Sequence, residues 1–166
     1  SSKNSGVHGV KRDEIFDVWF EQGTEWGPIG YPAGDEEKEG NKISQKFENG
    51  TIIIDGDVIY IVRNFAVDLW KTNSLGKNLD LGDCNLKNNG CYQTFENGTV
   101  YYTKSTKAQI VYGAFYDCYS LKKKEAGVLG YPTSNAEEVK GGLRQKFQKG
   151  YIYWSEATGA WDISGG

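Results

Sequence analysis

One eight-residue pattern, apolar-x-Gln-x-Phe-x-x-Gly, occurs three times in this chain. It reads Ile43-Ser-Gln-Lys-Phe-Glu-Asn-Gly50, then Cys91-Tyr-Gln-Thr-Phe-Glu-Asn-Gly98, then Leu143-Arg-Gln-Lys-Phe-Gln-Lys-Gly150. Such self-similarity confines a chain to a repeat architecture, in which neighbouring copies bury one another's apolar faces. The first and third copies are offset by 100 residues, so Gly30-Tyr31-Pro32 falls on Gly130-Tyr131-Pro132 and Glu37 on Glu137. The middle copy lies 48 residues after the first and 52 before the third. The 166 residues thus divide into three units, about 10–60, 61–109 and 110–166, expected to form a single domain.

Each unit begins with a helical stripe. Ile15, Val18 and Trp19 stand at i, i+3, i+4, as do Ala66, Leu69 and Trp70, and Phe115, Cys118 and Tyr119. An Asp follows the first stripe residue by two in every copy (Asp17, Asp68, Asp117), and a shared helix-to-hairpin hydrogen bond is its expected role. A Gly-bearing loop ends the helix: Ile29-Gly-Tyr-Pro32 in the first copy and Leu129-Gly-Tyr-Pro132 in the third. In the second copy the counterpart is read as Leu81-Gly82, without Tyr-Pro. A β-hairpin comes next. Asn49-Gly50 and Asn97-Gly98 are type I′ turn dipeptides, with Lys149-Gly150 a weaker version. That turn pairs Phe47 with Ile52 and Gln45 with Ile54. Alternation places Gln45, Gln93 and Gln145 on the apolar face, where each amide needs a partner, expected to be the backbone of the Gly-rich loop. One further strand follows in each copy, at Val58–Val62, Ala108–Val111 and Trp161–Ile163. The expected fold is α+β: three tandem helix-plus-hairpin repeats with approximate threefold pseudo-symmetry, propeller-like, or else a slice of a longer array.

Composition narrows the function classes. A net charge of −3 with interspersed signs speaks against nucleic acid, which needs a basic patch. No apolar run is long enough for a membrane span. The polar start without Met reads as a mature secreted chain or a trimmed one. The only His, His8, has no fixed partner in the N-terminal segment, which leaves nucleophilic schemes unsupported. Cys84 lies in a polar loop seven residues from Cys91, and these two form the candidate disulfide; free thiols are the alternative. No Cys/His cluster suggests zinc, and Asp80, Asp83 and Asn85 lack the spacing of a calcium loop, so neither metal nor cofactor is expected. Asn49-Gly-Thr51 and Asn97-Gly-Thr99 are also glycosylation sequons, already explained as turns.

These residues resemble the LGFP repeat family. Its pattern is a Leu-Gly-aromatic-Pro loop, then Gln-x-Phe-x-x-Gly-x-Ile-Tyr-Trp, then a Thr-Gly-Ala turn. The best copy here runs from Val128-Leu-Gly-Tyr-Pro132 through Gln145-Lys-Phe-Gln-Lys-Gly-Tyr-Ile-Tyr-Trp154 to Thr158-Gly-Ala160. Ile29 replaces the Leu in the first copy. The resemblance implies a secreted module of the kind found beside mycolyltransferases, amidases and other hydrolases of actinobacteria. Its role there would be holding an enzyme on cell-wall polysaccharide, and it supplies no catalytic residue.

What recurs in all copies reads as scaffold, so the candidates for function are aromatic residues where the copies differ. Exposed rings stack on the C–H faces of sugars, and adjoining polar groups bond the hydroxyls. Tyr151, Tyr153 and Arg144 on the outer hairpin face of the third copy, Tyr92 and Tyr101 on that of the second, and Trp26, Tyr31, Tyr131 and Trp161 beside the loops fit this description. Glu37 and Glu137 join them because they answer each other across repeats. The expected function is a secreted, non-enzymatic, lectin-like binder of carbohydrate or cell-wall polysaccharide. A glycan- or peptidoglycan-acting hydrolase using paired carboxylates and a protein-binding scaffold, such as an inhibitor or toxin component, are the rivals.

Overall fold

A computed structural model describes residues 14–164. Among these residues three α-helices punctuate twelve strands: Glu14–Glu21 (α1), Val67–Asn73 (α2) and Gly113–Leu121 (α3). The first repeat holds strands Glu37–Glu39 (β1), Lys42–Lys46 (β2), Gly50–Asp55 (β3) and Val58–Arg63 (β4). The second holds Asp83–Leu86 (β5), Gly90–Phe95 (β6), Gly98–Thr103 (β7) and Lys107–Val111 (β8). The third holds Glu137–Val139 (β9), Gly142–Phe147 (β10), Gly150–Ser155 (β11) and Gly159–Ser164 (β12). Each repeat is an antiparallel four-stranded meander in sequence order. The fold is mixed α+β with three repeat-like units. The edge strands β1, β5 and β9 were not expected, because Glu-Lys-Glu and Glu-Glu-Val carry charge rather than an apolar alternation. Short charged strands of this kind guard a sheet edge against further pairing.

The described residues partition into two compact units, divided between Asp68 and Leu69. The first contains the first repeat, and the second contains the second and third. His8 lies outside the described residues.

The hairpin register differs from the sequence expectation by two residues. Gln45 pairs with Ile52, Ile43 with Ile54, and Phe95 and Phe147 face Gly98 and Gly150 directly. The loop is thus Glu48-Asn49 and its counterparts, and neither Asn49 nor Gly50 takes a positive φ. Gly50 is required by space instead: a Cβ there would lie 2.6 Å from Ile29 Cγ2. At Gly98 it would meet Ile110 at 2.9 Å and Leu75 at 3.2 Å. The turn lies against the Gly-bearing loop, with Asn49 N–H donating to Ile29 O and Glu48 N–H to Tyr31 O. A shift by two preserves which face each side chain occupies. Gln45, Gln93 and Gln145 are therefore buried on the inner face as expected.

The same bonds identify the true counterpart loop of the second repeat. Leu75 O accepts from Asn97 N–H and Lys77 O from Glu96 N–H, as Leu129 and Tyr131 accept from Lys149 and Gln148. Leu75-Gly76-Lys77-Asn78, not Leu81-Gly82, matches Leu129-Gly-Tyr-Pro132. Asn78 bridges Phe95 as Pro132 bridges Phe147. Gly30, Gly76 and Gly130 have φ of 79°, 84° and 75°, which disfavours any side chain. An aromatic side chain ties helix to loop in each repeat. Trp19 Nε1, Trp70 Nε1 and the Tyr119 hydroxyl donate to the Gly30, Gly76 and Gly130 carbonyls at 3.0, 2.8 and 2.6 Å. Asp17, Asp68 and Asp117 are exposed on their helices.

The glutamines brace the loop, as their burial demanded. Gln45 Nε2 donates to Gly34 O, Gln93 Nε2 to Asp80 O, and Gln145 Nε2 to both Ser134 O and Ile110 O. In the second unit the core gathers Tyr101, Phe115, Tyr119, Leu129, Phe147 and Ile152 around α3. Helix α3 packs on β11 and β12 of its own repeat and on β7 of the preceding one. Replacing Gln145 by Leu removes the donor to two carbonyls. Gln145→Leu is expected to lower unfolding stability by about 2–3 kcal/mol, read from urea denaturation. A change within ~0.5 kcal/mol would contradict the bracing role.

Candidate functional site on the third sheet

Period-two alternation sends Ile152 into the core and turns Tyr151 and Tyr153 to the opposite face of β11. Register then assembles a row across all four strands. Glu137 on β9 pairs with Arg144 on β10, Arg144 with Tyr153 on β11, and Tyr153 with Trp161 on β12. A second row holds Lys146, Tyr151 and Ile163. Four adjacent strands thus present a contiguous patch of aromatic and charged groups.

The rings form a ladder. Tyr153 and Trp161 stack with centroids 4.9 Å apart and planes 23° from parallel. Tyr151 and Tyr153 stand 6.0 Å apart at 32°. The cross-strand Tyr153–Trp161 pair and the Tyr151 ring beside it on β11 hold one another in place. Arg144 is oriented from three sides. Its Nη2 and Nε donate to Glu137 Oε2 at 2.6 and 3.1 Å, and its guanidinium lies 5.3 Å from the Tyr151 ring centre. Bonding to Glu137 first, and to Tyr153 second, pushes the guanidinium pKa up. Trp161 stays 44% exposed and Ile163 is similarly open. The arrangement can do what flat rings beside fixed polar groups do: stack on an apolar ligand face and bond its rim.

Of the residues singled out from sequence, Glu137, Arg144, Tyr151, Tyr153 and Trp161 come together here. Trp26 (85% exposed), Tyr31 (54% exposed) and Glu37 belong to the first unit, where Glu37 faces Ser44 rather than an arginine. Tyr131 is buried, and its hydroxyl donates to Lys87 O. A side chain at Gly90 would collide with that hydroxyl, so this ring is a fastening between the second and third repeats. Tyr101 is also removed from the surface set, and Tyr92 is half-buried. Tyr101, the counterpart of Tyr153, is buried edge-to-face against Tyr119 of α3, 5.4 Å away, and Tyr92 packs beside it. The helix of the following repeat covers the face that looked outward. Sequence reasoning missed Ile163, although the alternation from Trp161 carried it to the same face.

Around the second repeat the Cys84 and Cys91 sulfurs are joined, closing the loop that presents Lys87 O to Tyr131. Cys118 is a free, buried thiol whose pKa is raised by burial and then by Asp162. Among the described residues, no group of His, Cys, Asp and Glu could hold a metal ion. Asp80 is occupied with backbone, accepting from the Gly82 and Thr94 N–H groups.

The family model of the LGFP repeat matches residues 82–127 and 129–166, together just over half of the chain. The chain belongs to the LGFP repeat family. No curated protein matches it. In this LGFP chain the family's Leu-Gly-aromatic-Pro loop is the segment clamped between helix and hairpin turn. Its aromatic position carries Tyr31, Lys77 or Tyr131 according to the repeat.

Thiol chemistry tests the cysteine arrangement. The unreduced LGFP chain unfolded in guanidinium should release one titratable thiol, Cys118, and three after reduction. The folded protein should label slowly, because burial disfavours the thiolate. Three thiols without reductant would rule out the bond.

Proposed function

We propose that this LGFP chain is a non-enzymatic carbohydrate-binding protein and that the Tyr151–Tyr153–Trp161 ladder is its principal binding face. The observation that carries the reading is the ladder itself: stacked, partly exposed rings held in register, with Arg144 and Glu137 fixed along one side. Such a strip fits the alternating apolar faces and hydroxyl rims of a polysaccharide such as those of cell walls. The carboxylate on this face, Glu137, is engaged by Arg144, which supports binding rather than hydrolysis by a carboxylate pair. A bonded Cys84 and Cys91 fits an oxidising compartment, so a secreted or cell-wall location belongs to the same proposal. No helix of the described residues is long and apolar enough to cross a membrane.

A second reading has an observation of its own. In the preceding repeat the equivalent face, around Tyr101, is covered by a helix, so the ladder could receive a helix from a protein partner. Against this, Arg144 stands where that face has Tyr92, and covering the Arg144–Glu137 pair would require desolvating both charges. Polysaccharide pull-down and titration of Trp161→Ala decide between them. On the carbohydrate reading, affinity falls by about tenfold or more, turnover is absent, and melting temperature stays within ~2 °C of the parent. Unchanged polysaccharide affinity in Trp161→Ala, or cleavage of the polysaccharide, would overturn the proposal.

A further inference from the structure

A second site lies away from the ladder, and the first repeat displays what fills it. After β4, Asn64 folds back on the hairpin tip of its repeat. Its Nδ2 donates to Phe47 O at 2.9 Å and to Glu48 O at 3.0 Å, and its Oδ1 accepts from the Thr51 hydroxyl at 3.1 Å. One carboxamide thus bonds two turn carbonyls and a hydroxyl.

The second repeat keeps the receiving groups and lacks the amide. Register places Val62 opposite Thr51 and Val111 opposite Thr99, so Gly113 is the counterpart of Asn64 in the chain, with a left-handed φ of 57° that Asn64 does not share. Phe95, Glu96 and Thr99 are the counterparts of Phe47, Glu48 and Thr51. Where the Asn64 side chain sits in the first repeat, the second has an open cleft of about 510 Å³, lined by these three and by Tyr112, Tyr116 and Asp117. A Cβ built on Gly113 meets nothing within 4 Å. Tyr112 is 41% exposed at the cleft.

We propose that this cleft binds an amide-bearing ligand, specifically the acetamido group of an N-acetylated hexosamine, in the place of the missing asparagine side chain. The acetamido N–H donates to a turn carbonyl at Phe95 or Glu96, and its carbonyl accepts from the Thr99 hydroxyl, as Asn64 does in the first repeat. The sugar ring then lies against Tyr112, with its hydroxyls toward Asp117. Groups placed to bond an amide discriminate against analogues that lack it. The cleft therefore selects for N-acetylation, which a stacking ladder does not. The site uses none of the ladder residues and stands or falls independently of the ladder's function.

The test is a two-dimensional amide NMR titration in the Trp161→Ala background, so that ladder binding does not contribute. The probes are triacetylchitotriose, its fully deacetylated form and cellotriose. The acetylated trisaccharide should shift Thr99, Gly113 and Tyr116, and the other two should leave them unmoved. Gly113→Asn, which sets a competing amide at the cleft on a left-handed backbone that asparagine tolerates, should weaken that response by about tenfold or more. Gly113→Ala, which carries the strain of a side chain at this left-handed position without an amide, should retain it. Equal responses to cellotriose, equal weakening by Ala and Asn, or no shift at the cleft would each overturn the proposal.

Discussion

Everything in the repeat hangs on holding one glycine in a left-handed conformation against the hairpin turn. Gly30, Gly76 and Gly130 are each gripped from two sides. The helix supplies an N–H or O–H to the carbonyl, from Trp19, Trp70 or Tyr119. The turn supplies a side-chain acceptor to the next N–H: Glu48 Oε1 to Tyr31, Glu96 Oε1 to Lys77, Gln148 Oε1 to Tyr131. Backbone groups taken out of water must be paired, and here helix, loop and sheet are joined by the bonds that do so. The buried glutamines and the turn glycines follow from that constraint. The first keep the rest of the loop down, and the second let Ile29 or Leu75 approach.

Much of this was legible in the sequence because repetition is redundant. The three Gln-x-Phe-x-x-Gly segments located the hairpins, and a period of two assigned their faces even though the register was off by two. The role of Gly50 was not legible. Asn-Gly is a strong turn dipeptide in isolation, but pairing of the turn with the Ile29–Tyr31 segment overrides that local preference. The Leu75-Gly76 loop was missed because the helix-to-loop connection is shorter in the second repeat and Lys77-Asn78 replaces Tyr-Pro. The acidic edge strands left no periodic signal.

The candidate site was legible only in part. Tyr101 and Tyr153 occupy equivalent places in equivalent strands, and their surroundings in sequence are alike. One is core and the other surface because α3 packs on the second sheet. That distinction lives in the packing of one repeat on the next, which local pattern does not encode. Tyr131 was misplaced for the same reason: its partner, Lys87 O, belongs to a different repeat.

The positions that agree among the repeats therefore build, and the positions that differ are free to bind. On the third sheet the differences give Arg144, Tyr153 and Trp161; at the start of α3 a difference replaces Asn64 by Gly113. The central claim is that ligand on the third sheet is held by divergent rather than repeated residues. A crystal structure of the protein with a bound cell-wall oligosaccharide tests it most directly. The account predicts sugar rings seated on the outer face of the third sheet, against Tyr153 and Trp161, with Gln45, Gln93 and Gln145 untouched. Sugar bound instead at the Gly30, Gly76 or Gly130 loops, in contact with the repeated glutamines, would contradict it.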